Sequence, residues 1–379
     1  MHIQSFVKSC HDGYGLSSVA HHARSLHETY ALRVLQRRLL EPGALERIQA
    51  PDAVLARLVD LANDSELRGV ASSDAVFAHV ASGDLEGGVR VMAEALDAQR
   101  IEARLPRSAR AGTDGRVDEL NELCHARIEP PRWSANGSFA VWQDGTSWFA
   151  PTARSQLPVD FVSPHALAVP LHSGAAPVGE WPFVSQGNVS IYCATMRAAL
   201  DIVAMGWPNG ISLVDACTRA IVVRDDPGLP GFGSFTPSTR LGTIVVTNGV
   251  DRDPLFLAES LVHEAVHSCC FALQRQGRWF SDMRLAVSMV EHSPWTGDVL
   301  IVRNYVHACF VWFALFHFYR SLVDLGAELA FIHDRLKVIR GGFTSGPLID
   351  DGRAAAWGLS QEVVEAIRQA QSYLLSDDA

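Results

Sequence analysis

Positive charge is in short supply in this sequence: 42 aspartates and glutamates face 32 lysines and arginines, for a formal charge of −10. An acidic surface releases no counterions from a phosphate backbone, so no nucleic-acid partner is expected. Paired cysteines are missing as well. The seven cysteines form no CxxC and no regular framework, with only Cys269 and Cys270 adjacent. An odd, unpatterned set points to free thiols in a reducing cytosol. The opening MHIQSFVKSCHDG lacks the unbroken apolar run of a signal peptide, so a cytoplasmic location is expected. The stretch ACFVWFALFHFY (308–319) is strongly apolar but too short to span a bilayer, and no membrane association is expected. It reads instead as the buried part of a helix.

What is present suits a globular chain. Hydrophobic residues make up 48% and charged residues 20% of 379 positions, enough to bury the core of one large domain or two ordinary ones. Residues 1–105 carry apolar positions at mixed three and four spacings, which predicts helices, among them SVAHHARSLHETYALRVLQRRLL, LARLVDLANDSELRGV and GGVRVMAEALDAQRIEARL. From Pro106 to about residue 180 the texture changes. PRSARAGTDGR is rich in breakers, and PPRWSANGSFAVWQDGTSWFAP offers two Gly-containing turns between aromatic runs, the pattern of a small hairpin or an interdomain joint. Residues 181–379 are the best patterned: a helix stopped at Gly206, GISLVDACTRAIVVRDD as a helix running into a strand, and LGTIVVTNG as a second strand, β-branched and closed by Asn248-Gly249. The fold class predicted is α+β, predominantly helical.

After the second strand comes DRDPLFLAESLVHEAVHSCCFALQRQG. Asp253 is placed to cap a helix, Pro254 to occupy its first position and Gly277 to stop it. An HExxH motif therefore lies in mid-helix. Positions four apart share a helical face, so His263 and His267 can converge on one ion. Glu264 sits about 100° round the helix, close enough to act on a metal-bound water or to orient a ligand. No histidine follows at the metzincin spacing, so a third ligand must come from elsewhere. Glu291, His292 and His307 are the candidates. Arg303 and Asn304 precede His307 by about one turn and share its face; an arginine beside a histidine on an otherwise apolar helix is costly to bury without a role. His317 is off that face and reads as core. Trp279, Phe280, Trp295 and Tyr305 are candidates to wall a pocket, whereas Ser234, Thr236 and Ser238 read as an ordinary polar loop.

The run from IVVRDD through STRLGTIVVTNG, LAESLVHEAVHS and SPWTGDVLIVRNYVHACFVW resembles the HExxH-motif enzymes of ribosomal peptide natural-product clusters, which are iron(II)- and 2-oxoglutarate-dependent peptide β-hydroxylases. The likeness covers roughly residues 210–325 and is weaker in the N-terminal helices. It implies His263 and His267 as paired iron ligands, His307 as the third, and O2 and 2-oxoglutarate on the remaining coordination positions. It also implies a precursor-peptide substrate hydroxylated at Cβ, with the N-terminal helices available to dock the rest of the peptide. The SPW element is present at Ser293, Pro294 and Trp295. Two features depart from the family: Thr296 stands in place of an arginine, and Tyr305 or its neighbours in place of a glycine before the third histidine. Arg303 thus becomes the candidate for the distal carboxylate of the co-substrate, whose geometry a guanidinium fork matches. Three neutral imidazoles would leave the ion at +2, which a dianionic co-substrate neutralises.

In an oxygenase Glu264 need only orient a ligand or the substrate. The competing reading is a gluzincin-like zinc metallopeptidase with Glu291 as third ligand and Glu264 as general base. In either enzyme the strand TIVVTN would be available to pair edgewise with an extended peptide. A third reading makes the chain a non-catalytic module that recognises a partner through RWSANGSFAVWQDGTSWF.

Overall fold

The computed structural model describes residues 3–41, 44, 48, 65–105, 117–127, 129–154, 157–169, 186–226, 228–327 and 329–376. The breaker-rich segment 106–116, most of the helix expected over 55–70 and Trp181 lie outside the described residues. Of the described residues 63% are helical and 11% lie in strands, a predominantly helical α+β fold as the patterning predicts.

The helices are α1 (Ile3–Asp12), α2 (Leu16–Leu39), α3 (Ser65–Ala71), α4 (Asp74–Ser82), α5 (Leu85–Arg104), α6 (Val117–His125), α7 (Pro164–Leu167), α8 (Gln186–Gly206), α9 (Pro208–Cys217), α10 (Pro254–Gln276), α11 (Met283–Ser288), α12 (Val302–Asp324), α13 (Ala330–Thr344), α14 (Asp351–Trp357) and α15 (Gln361–Ser376). The strands are β1 (Arg132–Trp133), β2 (Phe139–Val141), β3 (Ser147–Phe149), β4 (Val159–Asp160), β5 (Ala220–Arg224), β6 (Gly233–Phe235), β7 (Thr243–Thr247), β8 (Val290–His292) and β9 (Val299–Ile301). The chain divides into two discontinuous compact units. One comprises Met1–Leu26, Leu200–Cys217 and Ala258–Ala379, the other His27–Ala199 and Thr218–Leu257. The changes of composition near residues 105 and 180 both fall inside the second of these.

In that second unit β4, β5, β7 and β6 form one sheet in this spatial order; β4, β5 and β7 run parallel and β6 antiparallel. All five residues of β5 and of β7 are buried, which is why both read as unbroken β-branched runs rather than alternating ones. β7 is paired with β5 along its whole length and with β6 over Val245–Thr247, so the edgewise pairing of a peptide considered for TIVVTN finds no free edge over those three residues. Asn248 closes β7 in the left-handed region at φ 52°. Its amide donates to the carbonyls of Asp226, Leu229 and Gly231 at 2.9–3.0 Å, so this Asn-Gly ties down a loop instead of turning a hairpin. The aromatic stretch forms the antiparallel meander β1-β2-β3. Gly137 and Gly145 take its left-handed positions at φ 70° and 84°, where a side chain would be strained. Leu32, Leu35, Val70, Val76, Val89, Met92 and Leu96 from the helices of this unit share one core cluster.

The first unit is built round α12, whose middle turns are apolar on every side and which is contacted by α1, α13 and α15. The apolar stretch at 308–319 is the middle of this longer helix. By composition and length both Asn188–Gly206 and Val302–Asp324 could cross a bilayer, but 72% of the apolar window of the second is buried by the chain itself, the state of a core helix. The start of α10 follows the sequence signals: Asp253 Oδ1 accepts the Leu255 N–H at 2.8 Å, and Gly277 follows the last helical residue with its N–H on the Leu273 carbonyl at 2.9 Å. One turn before His263, the buried Glu259 accepts hydrogen bonds from Arg335 of α13 and Tyr319 of α12. This ion pair ties three helices together below the HExxH motif.

Candidate metal centre

The rise of an α-helix puts the side chains of His263 and His267 over one another on α10. Their Nε2 atoms lie 3.2 Å apart. Two donors at that spacing, each about 2.1 Å from an ion, subtend about 100° at it, close to a cis angle in tetrahedral or octahedral coordination. The pair fits a divalent first-row ion.

His307, fully buried on α12, reaches the pair from the other side. Its Nδ1 lies 3.4 Å from Nδ1 of His267, and its Nε2 lies 3.1 Å from Oε1 of Gln274. All three imidazoles implied by the family resemblance are therefore adjacent. The nitrogen of His267 that faces His263 is nevertheless not the one that faces His307. Among the described residues no group of three or more His, Cys, Asp or Glu side chains is arranged to hold one ion. Two donors converge; the third approaches from behind.

The surroundings are aromatic. Phe271, one turn beyond His267, meets the His307 ring edge-on at 4.6 Å between centroids, and Trp279 does so at 5.6 Å. Of the other aromatics expected to wall a pocket, Tyr305 donates to the Leu348 carbonyl and packs on Trp357. Trp295 donates to the Ile339 carbonyl between Trp312 and Phe343, and Phe280 bridges to Leu359. These three support the fold of the unit, leaving Trp279 at the imidazoles.

Arg303 stacks its guanidinium over Phe271, 5.4 Å from the ring centroid. Its Nε is buried with no hydrogen-bond partner among the described residues, and burial lowers its pKa. Burial first, and the Arg303 cation second, push the His307 pKa down to about 3. Burial, then the charges of His263, His307 and Arg303, hold His267 well below the usual imidazole range. Both rings are thus neutral at physiological pH, each with one lone pair to offer.

Glu264 is buried on α10 at 2% exposure. Glu291, the carboxylate of the peptidase reading, instead faces Arg353 at 3.7 Å and accepts the His292 N–H at 3.0 Å. His292 is exposed beside the Gly297 carbonyl. Ser293 closes the β8–β9 turn by accepting the N–H groups of Trp295 and Thr296. Sequence reasoning missed Gln274 and Phe271. Their spacing of seven and four residues from His267 places them on its face, but nothing in an apolar helix marks such residues as parts of a site.

No family model matches the chain, and no curated protein matches it in sequence.

Proposed function

We propose that the chain is a non-haem iron(II)- and 2-oxoglutarate-dependent hydroxylase acting on Cβ of a residue in a ribosomally made precursor peptide. One observation carries this reading furthest: an imidazole pair with metal-ligand spacing lies within electrostatic reach of a half-buried guanidinium whose Nε has no hydrogen-bond partner among the described residues. A cation held beside a metal pair suits an anionic co-substrate.

His263 and His267 would hold the ion through Nε2. Bound there, iron(II) would supply the electrons and open coordination positions needed to activate dioxygen. The chain's own residues do the rest. Arg303 offers its fork to the distal carboxylate of 2-oxoglutarate, and the Phe271 ring beneath it holds the guanidinium in place. Phe271 and Trp279 pack on the buried His307 ring and keep water from it. Glu264 holds its place beside the pair and orients ligand or substrate, without acting as a base.

A zinc metallopeptidase remains the second reading, favoured by the buried glutamate within the motif. In that enzyme Glu264→Gln abolishes turnover, because the carboxylate must take the proton of the attacking water. The hydroxylase keeps measurable iron-dependent consumption of 2-oxoglutarate in the same variant. The test is anaerobic loading with iron(II), then addition of 2-oxoglutarate and dioxygen, followed by mass spectrometry of a candidate precursor peptide. A gain of one oxygen atom supports the hydroxylase, and a cleaved chain overturns it.

A further inference from the structure

The hydrogen-bond partners around His307 fix which of its nitrogens carries the proton. The amide nitrogen of Gln274 lies 3.2 Å from Sδ of Met283. A thioether sulfur can only accept, so the NH2 end of the amide belongs there and the carbonyl end faces His307. An amide oxygen also can only accept, so at 3.1 Å His307 must donate from Nε2. In a neutral ring the lone pair then sits on Nδ1. That lone pair faces Nδ1 of His267 at 3.4 Å, which must be the protonated nitrogen of its own ring. The lone pair of His267 is thereby moved to Nε2, the atom 3.2 Å from Nε2 of His263.

From this order we infer that His307 is a positioning residue and not a third ligand. Gln274 sets the tautomer of His307, and His307 sets the tautomer and tilt of His267, so that His267 presents Nε2 to an ion shared with His263. The chain reads Gln274 Oε1, His307 Nε2–H, His307 Nδ1, His267 Nδ1–H, His267 Nε2. Its ends lie on α10 and its middle on α12, so the packing of two helices is converted into the orientation of one lone pair. Metal-bound histidines commonly rely on such a partner for the nitrogen that does not bind. The inference rests on the reading of His263 and His267 as a metal pair, and the third coordination position is left to a non-protein ligand or water.

The experiment has two arms. In metal-free, 15N-histidine-labelled protein, imidazole nitrogen shifts report tautomers directly. His307 is expected as the Nε2–H form and His267 as the Nδ1–H form. Gln274→Leu should mix both populations, whereas Gln274→Glu, which keeps an acceptor, should preserve them. In the second arm cobalt(II) is added and hyperfine-shifted imidazole N–H signals are counted. Two such signals are expected in wild type and in His307→Gln. Cobalt affinity should fall roughly 10–100-fold in Gln274→Leu and recover in Gln274→Glu. Three shifted signals in wild type, one of them lost in His307→Gln, would make His307 a ligand and overturn the inference. The opposite tautomer of His267 would overturn it too. Absence of cobalt binding with the tautomer order intact would sink the metal reading alone.

Discussion

At the scale of single residues, Arg303 offers the sharpest test of the co-substrate. Its guanidinium is stacked on Phe271 and its Nε lacks a hydrogen-bond partner among the described residues. Lysine in its place keeps the charge but loses the planar fork and the stacking. Arg303→Lys should raise the KM for 2-oxoglutarate roughly 10–100-fold, the value of one bidentate charge-assisted contact, with a smaller effect on kcat. An unchanged KM would detach Arg303 from the co-substrate. The paired histidines were legible because their geometry is local: a spacing of four on a capped helix already fixes a shared face. Which nitrogen of each ring points inward was not legible, because it depends on Gln274 and Met283, whose roles come from side-chain orientation in the folded unit.

At the scale of elements, the buried Glu259 holds α10 to α12 and α13 through Tyr319 and Arg335. Its side chain is 8% exposed and that of Arg335 28%. Truncating one partner strands the other charge in a partly dry site, so Glu259→Ala should cost about 3 kcal/mol in urea unfolding, the lower end for a broken buried pair. The double variant Glu259→Ala/Arg335→Ala should cost less than the sum of the two single changes. Additive losses would show that the pair is not coupled. A second prediction concerns the SPW element. Gly342 of α13 lies against the Trp295 indole, so an added Cβ would collide with it; Gly342→Ala should destabilise by about 1–3 kcal/mol in the same assay. That packing explains the motif here as a wedge between helices. Helix ends were readable from Asp253, Pro254 and Gly277 because capping is local chemistry. The central position of β7 was not, because the order of strands depends on which distant segments pair, and a buried β-branched run looks alike in the middle of a parallel sheet and beside its edge.

At the scale of the whole molecule, the two units are assembled from pieces far apart in sequence, which is why changes of composition could not mark their limits. Each unit also holds a neutral histidine whose Nε2 is buried. Burial, with the Arg240 cation next, pushes His165 down to about 4. Burial, with His11 next, pushes His317 down to about 3. His317 packs among Phe313 and Phe316, as its position off the His307 face suggested. The sign follows from proton linkage. Unfolded, these rings titrate near 6.5; folded, they resist protonation, so below about pH 6.5 the unfolded chain binds more protons and stability falls. The loss continues down to the folded pKa, where it levels off. For one such ring the cost between pH 7.5 and 5 is about 2 kcal/mol. Urea unfolding of wild type should therefore show a lower midpoint at pH 5 than at pH 7.5. His317→Phe, which keeps an aromatic ring and cannot titrate, should recover about 2 kcal/mol of that difference whatever it costs at pH 7.5. An equal pH dependence in variant and wild type would mean that His317 takes up its proton as readily folded as unfolded, and the burial argument for it would fail.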